Sequence, residues 1–502
     1  MAGLKDADDF KDGEHFKGAG LLKFVLGIVG FGGMALFLLL AFFWKDKTPE
    51  MAYSWLFAVV FFLSLSVGGL FWTLLHHASN SGWGTVVRRL MENLGSMIPF
   101  ILILGVPFLI EGCGFRNALW EWFPEREAAL HSAEVETEAH FAEYKADLEA
   151  DVAKADAEVK AGEAAISSQP NLKPGEKRHL EDKLQVLKKQ AAELGEEDLS
   201  DDAGLRAKLK DDYFREEAAL LHAKQGFLNE GSWFVRYLLY FIGLTGVIFI
   251  LRGWSIKQDR DGDPKWFLLM RRWSCGFLPI FAVSWTFLVF DWLMALDYTW
   301  FSTMWGVYLF AGAALNSMGL LVIVLTLLRR AGYLKNVVTM EHYHLMGKLM
   351  LAFTIFWAYI AFSQFFLIWY ANITEETKFY LTRNTDFWNV YTITFLVIGH
   401  FFVPFAALLI QKFKMMPAVL SGIAVWNLIM HSLDIYWIII PERGVSLTNG
   451  TQMTMPGAWL FDLLAFVSVA GIFGFFLLRQ LGSASLFPCR DPRLDESLNV
   501  VN

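Results

Sequence analysis

The run WGVYLFAGAALNSMGLLVIVLTLL, residues 305–328, decides the fold. It carries no charge, and Arg329 and Arg330 close it. A bilayer core of about 30 Å asks for about 20 mostly apolar residues per helix, and this run meets that length with a basic end. It predicts a transmembrane helix. Nine more segments pass the same test, at 21–44, 53–75, 96–112, 233–251, 275–296, 349–370, 386–411, 417–440 and 457–479. The expected fold is therefore an all-α polytopic membrane protein of about ten spans. The third segment is the shortest and holds Pro99 and Pro107. The first is too long in its apolar run, and too poor in small residues after it, for a cleaved signal peptide. Its amino terminus is expected to stay attached.

Composition agrees with the spans but hides a second population. Of 502 residues, 55% are apolar and 16% aromatic, more than one water-soluble core can hide, so a disordered chain and an ordinary soluble enzyme are both excluded. The formal net charge is −8, yet 125–230 alone carries 15 Lys and Arg against 26 Asp and Glu, a local charge of −11 that leaves the rest of the chain at +3. A sparse, slightly basic membrane body thus carries one dense acidic insertion. No basic stripe points to nucleic acid. The expected organisation is a tail at 1–20, spans one to three at 21–112, an insertion at 113–232, spans four to ten at 233–479, and a tail at 480–502.

Lys and Arg in the loops set the orientation. One side collects 20 of them, from Lys5 to Arg493; the other holds seven, with Arg116 and Arg236 counted there. Both termini are expected to be cytoplasmic and the insertion extracytoplasmic, which the even span count allows. Within the insertion Leu180, Leu184, Leu187, Ala191 and Leu194 alternate steps of four and three, the spacing of a coiled-coil seam. Phe141, Leu148, Val152, Val159 and Ile166 form a looser seam on the preceding arm. Breaks at Ser167–Pro170, Lys173–Gly175 and Gly195–Gly204 separate these arms from a last helix carrying Leu205, Leu209, Tyr213 and Leu220. The hairpin is either a solvated charged arm or a docking arm for a partner.

Ionisable residues inside lipid are expensive, so each needs a partner, a water cavity or a function. Asn427, His431 and Asp434 follow i, i+4, i+7 and share one face of the ninth span. A His three residues before an Asp suits proton relay, since imidazole titrates near neutrality; the same trio also suits an interhelical hydrogen-bond cluster. His400 in the eighth span follows Asn389 and Thr392, with Pro404 four residues on. A b-type haem held by His400 and His431 is conceivable on residue type. Asp291 lies inside the fifth span; Glu111 and Asp462 read as interfacial anchors. Gln364 is expected to bond across helices at mid-depth. Before span seven, Glu341, His342, His344 and Lys348 suggest a polar mouth on the cytoplasmic side; they match no compact metal site. Cys113, Cys275 and Cys489 are far apart and lack CxxC or CxxCH spacing, which argues against an iron–sulfur cluster, a zinc finger or a covalently held haem on this chain.

Several longer runs carry a resemblance. DWLMALDYTWFSTMWGVY at 291–308, EHYHLMGKL at 341–349, FWAYIAFSQ at 356–364, WYAN at 369–372 and RDPRLDESL at 490–498 resemble the NrfD-like membrane subunits of alternative complex III. The likeness is to the ActF type, also described as quinone-binding subunit 2 of a quinol:cytochrome c oxidoreductase. It covers spans four to ten well and spans one to three loosely. It implies two four-helix bundles with a flanking pair of helices, in the bacterial inner membrane, with the insertion periplasmic. It implies a sister NrfD-like subunit, a multihaem cytochrome c, an iron–sulfur subunit and a monohaem cytochrome c as partners. Haem c and iron–sulfur clusters would then sit on those chains, and none of these cofactors on this one. The family's quinol site is generally placed on the sister subunit, so the resemblance implies a scaffold and proton path here. The long charged hairpin departs from the family's usually short loop; only His222–Asn229 looks family-like. The expected function is a non-catalytic subunit supporting quinol oxidation, with Asp291, His400, Asn427, His431, Asp434 and Gln364 near a proton or quinol path. The alternatives are a direct quinol-binding subunit and, from another class, a secondary transporter, although no matching halves of the kind transporters show are evident.

Overall fold

Every one of the ten apolar runs is a helix in the computed structural model, which describes residues 5–168, 174–195, 199–448 and 458–501, with the backbone alone at 174, 177, 193–195 and 444–448. Among the described residues there is no strand, only an isolated bridge between His15 and Ser485. The spanning helices are α1 (Gly20–Phe43), α2 (Lys45–Ala78) and α3 (Thr85–Phe108). The insertion follows as α4 (Trp122–Ser167), α5 (Pro174–Gly195) and α6 (Asp202–Glu217). Then come α7 (Glu230–Asp261), α8 (Pro264–Asp297), α9 (Trp305–Arg330), α10 (Met340–Ala371), α11 (Asp386–Leu409), α12 (Pro417–Arg443) and α13 (Ala458–Leu481). Ten helices among the described residues are long and apolar enough to cross a bilayer, as a multi-pass membrane protein requires. The chain forms two compact units, Trp122–Glu230 and the remainder.

In the membrane unit α2 is the hub. In its most apolar window 94% of residues are buried, against 17% for α1, and it packs on α3, α8, α9, α12 and α13. Ser54, Ser66, Gly68, Gly69 and Thr73 keep its surface slim, which lets neighbouring backbones approach. The hydroxyls return to carbonyls one turn back, at 3.0 Å for Ser54 to Glu50, 2.8 Å for Ser66 to Phe62 and 2.9 Å for Thr73 to Gly69. The outer pair α1 and α13 crosses through Gly30 and Gly471. A Cβ on Gly30 would stand 2.4 Å from the Ile472 nitrogen, so only glycine fits, and a π-helical turn at Ile28–Gly32 marks the crossing.

Two spans depart from regular helix. The third begins at Thr85, not near 96, because Arg88, Arg89 and Glu92 are buried in mutual ion pairs and so can enter the bundle. It is then broken into Thr85–Gly95, Ile98–Ile103 and a 3₁₀ turn at Val106–Phe108, with Pro99 and Pro107 each at the start of a piece. In α11, residues Thr392–Phe402 are π-helical. Pro404 has no N–H for the Gly399 carbonyl five residues back, and the Trp426 indole N–H donates to that carbonyl instead, at 2.8 Å.

Among the described residues the insertion unit has the two arms and the last helix expected from the sequence, followed by a short helix at Ala219–Ala223. Near its base Phe141, Leu205 and Leu209 form a small core, backed by Tyr144, Leu148, Leu199 and Tyr213. Farther out Leu180, Leu184, Leu187 and Ala191 are only half-buried against α4. The side chain of Leu194, and the breaks at 169–173 and 196–198, lie outside the described residues.

Candidate functional site

α9 and α12 run antiparallel in close contact, and Gly312 explains how close. A Cβ there would stand 2.8 Å from His431 Cε1, and one at Gly319 3.5 Å from Ala424. The same register sets Asn316 level with Asn427, and Tyr308 level with Asp434. A seam of polar side chains is therefore built from two helices at one depth after another.

At one end of the seam Asp434 has a donor on each oxygen. The Tyr308 hydroxyl donates to Oδ1, and the Trp357 indole N–H to Oδ2 at 3.1 Å. One turn on, His431 Nε2 lies 2.9 Å from Ser64 Oγ on α2. The Ser64 hydroxyl also reaches the Phe61 carbonyl at 2.7 Å, so it donates there and accepts from an Nε2–H. That tautomer, assigned from the bonding pattern, leaves Nδ1 as a bare acceptor. Nδ1 has no hydrogen-bond partner among the described residues, and neither has Asn316 Oδ1, either amide atom of Asn427, or either nitrogen of His400. Asn316, His400, Asn427 and His431 are fully buried. His400 lies between Trp357 and His431, its ring centroid 4.0 Å from the first and 6.2 Å from the second. Buried polar atoms are normally paired, by protein or by ordered water. Six such atoms in one stretch are the kind of polar partners that an ordered water, with its two to four hydrogen bonds, needs.

Toward the Lys/Arg-rich end the seam turns dry at Gly319 and Ala424, then polar again. Ser421 donates to Thr326 at 2.8 Å, the Thr326 hydroxyl lies 3.2 Å from that of Tyr343, and the Arg329 guanidinium stands 5.7 Å over the Tyr343 ring.

Residues singled out in the sequence divide into three groups. His400, Asn427, His431 and Asp434 come together. Asp291 stands apart: Arg236 holds it with two bonds, at 2.7 and 2.9 Å, and Tyr240 adds a third at 2.6 Å. Gln364 does not bond to a neighbouring helix: it accepts from Ser302, in the loop before α9, at 2.8 Å. Asn389 and Thr392 bond locally, to Asn384 and to the Trp388 carbonyl, while His400 sits in the π-helical stretch. At the start of α10, His342 caps the helix with Thr339 and lies 3.3 Å from Ser497 of the C-terminal tail, so it is covered rather than open. His344 Nδ1 is 3.6 Å from Glu341. Lys348 is exposed, and near it burial, then the Lys348 charge, hold the Lys414 ammonium below its usual value.

Asp462, four residues into α13, is buried and paired. It pairs with Arg443 at 2.9 Å and accepts from Ser54 at 2.6 Å and Tyr436 at 3.1 Å, all inside the bundle. Sequence reading missed Ser64, Tyr308, Asn316 and Trp357. The steps of four from Tyr308 to Gly312 to Asn316 were the available signal, a polar and small stripe on one face. It also missed His76 and His77, buried at the end of α2 beside Arg88, where His76 Nε2 and both His77 nitrogens have no hydrogen-bond partner among the described residues.

No family model matches the chain, and no curated protein matches it. Its chemistry is therefore read from geometry. Among the described residues no three His, Cys, Asp or Glu side chains group to hold a metal. A haem between His400 and His431 does not fit. Trp357 covers one imidazole, Ser64 takes Nε2 of the other, and the Gly312 backbone closes on its edge. What the seam can do is hold and pass protons between oxygen and nitrogen atoms.

Proposed function

We propose that the chain is an integral membrane subunit of a respiratory quinol:cytochrome c oxidoreductase of the alternative complex III kind, carrying no redox cofactor and conducting protons along the α9–α12 seam. The resemblance at 291–308, 341–349, 356–364, 369–372 and 490–498 supports the family. In this reading the termini are cytoplasmic, the acidic insertion is periplasmic, and the chain sits beside an NrfD-like sister subunit in the bacterial inner membrane. The multihaem cytochrome c, the iron–sulfur subunit and the monohaem cytochrome c carry the electrons.

One observation carries the proton role: a carboxylate, an imidazole with a bare nitrogen and two amides with unpartnered atoms, aligned within one buried seam. Within the seam a proton passes by way of water at the Asn316 and Asn427 amides to His431 Nδ1. Asp434 lies one turn beyond as the acceptor, its charge held by Tyr308 and Trp357. Direct quinol binding is less well supported, because Asn427, His431 and Asp434 are at most 1% exposed.

The test is the pair His431→Leu and Asp434→Leu in the assembled complex. Proton uptake is expected to fall while the complex still assembles. Normal assembly, quinol oxidation and proton uptake together would sink the proposal, and a quinone photolabel on His400 or His431 would replace it with a quinol site.

A further inference from the structure

The broken third span leaves something behind. Its helical piece ends at Ile103 and continues as a 3₁₀ turn, so part of α1 faces no helix. A cavity of about 460 Å³ fills the gap, walled by Phe31, Leu38 and Phe42 on one side and by Phe100, Ile103 and Phe476 on the other. That volume is in the range of small-molecule sites, ~300–1,000 Å³. Phe42 and Ile103 are 65% and 53% exposed, so the slot opens on the outside of the bundle. At 1.5 Å per residue, Phe31 to Phe42 is roughly 16 Å, about half of a hydrocarbon core. The slot is one leaflet long.

Its chemistry is as one-sided as its length. Lys45 is the sole charged residue of the lining, at the end of α1 where the span meets the interface. Its Nζ lies 3.4 Å from the Gly112 carbonyl and 5.2 Å over the Phe42 ring. The lining has no His, Asp, Glu, Tyr, Asn or Gln, and the Trp55 indole N–H already donates to Leu104, at 2.8 Å. A quinone ring would bury two carbonyls there with Lys45 as the one strong side-chain donor, so at least one carbonyl would lose its hydrogen bonds. A phospholipid has a chain for the slot and a phosphate for the lysine. We propose that this slot binds one acyl chain of a phospholipid whose phosphate pairs with Lys45. The site is independent of the proton seam and of the family reading.

The whole protein, reconstituted in phosphatidylglycerol vesicles doped with a phospholipid bearing a diazirine midway along one chain, tests this by irradiation and peptide mass spectrometry. Adducts are expected to concentrate on 31–45 and 100–113, well above the exposed α10 face at Phe362–Trp369. Lys45→Gln, an exposed change that leaves the fold alone, is expected to lower slot labelling about fivefold, the worth of one lysine beside an anionic lipid. Leu38→Trp with Ile103→Trp fills the slot and is expected to reduce its labelling to that of the α10 face. Slot labelling no higher than that face, or unchanged by Lys45→Gln, overturns the proposal. So does displacement of the label by an isoprenoid quinone but not by unlabelled phospholipid.

Discussion

Two kinds of buried polarity share the membrane unit, and they are built differently. At Arg443–Asp462 and Arg236–Asp291 each charge meets an opposite charge, and hydroxyls of Ser54, Tyr436 and Tyr240 take the remaining lone pairs. At the α9–α12 seam, among the described residues, no ion pair forms and six buried atoms of Asn316, His400, Asn427 and His431 have no protein partner. A fully bonded pair is a clamp, since removing one partner strands the other charge. A group without a protein partner carries its own desolvation cost, so its removal strands no other group. The difference teaches that buried ionisable residues come in two kinds here, one bonded at every lone pair and one not.

The sharpest way to break the comparison is at a clamp. Arg443→Met leaves Asp462 charged and buried without its counter-ion, and about 3–5 kcal/mol of stability is expected to go. Arg443→Met with Asp462→Leu is expected to recover most of it, because the isolated charge is gone. Thermal unfolding in detergent reads both. Equal losses in single and double variants would show that the pair is not a clamp.

Inside the seam, Gly312→Ala puts a methyl group 2.8 Å from His431 Cε1. Overpacking of this kind costs about 1–3 kcal/mol. Since the imidazole has to move off Ser64, proton uptake is expected to fall further than the loss of stability alone would account for. Asn427→Leu goes the other way. It removes two unpartnered polar atoms, so stability is expected to change by less than about 1 kcal/mol while proton uptake drops. A large loss of stability in Asn427→Leu would mean that its amide is fully bonded, and the seam would then be another clamp.

The spans were legible because each must satisfy its own backbone in lipid, and so each writes its length into composition. The common face of Asn427, His431 and Asp434 was legible because helical spacing depends on one helix alone. Their partners were not. Ser64, Tyr308 and Trp357 come from three other helices and are neutral residues that membrane spans carry freely. Asp462 read as an anchor because Arg443 is 19 residues away on another helix. The π-helical turns at Ile28–Gly32 and Thr392–Phe402 leave no mark in composition, since the same apolar residues serve either hydrogen-bond pattern. The third span began too late in the sequence reading because Arg88, Arg89 and Glu92 were counted as loop charges, and ion pairing had made them core.

The insertion unit gives the smallest effect, and by the same logic. Its charges are paired as at the clamps, Lys210 with Glu134 at 2.8 Å, Arg206 with Glu138 at 2.6 Å and Lys145 with Asp202 at 2.6 Å, but they lie in water. Lys210 holds the Glu134 carboxyl below its ordinary 4.5, first by hydrogen bond and then by charge. Asp202 raises the Lys145 ammonium above 10.5. A carboxyl lowered on folding adds stability above pH 4.5 that is lost as pH falls through its folded value. A lysine raised on folding adds stability below pH 10.5 that is lost as pH rises through its folded value. Between those limits the unit is expected to be flat with pH. Lys210→Glu sets like charges together, so limited proteolysis of the whole protein is expected to cut α4 to α6 slightly faster, and high salt is expected to erase the difference. A cut rate that rises strongly and ignores salt would mean that these pairs act as clamps too, and that the core of Phe141, Leu205 and Leu209 leans on them.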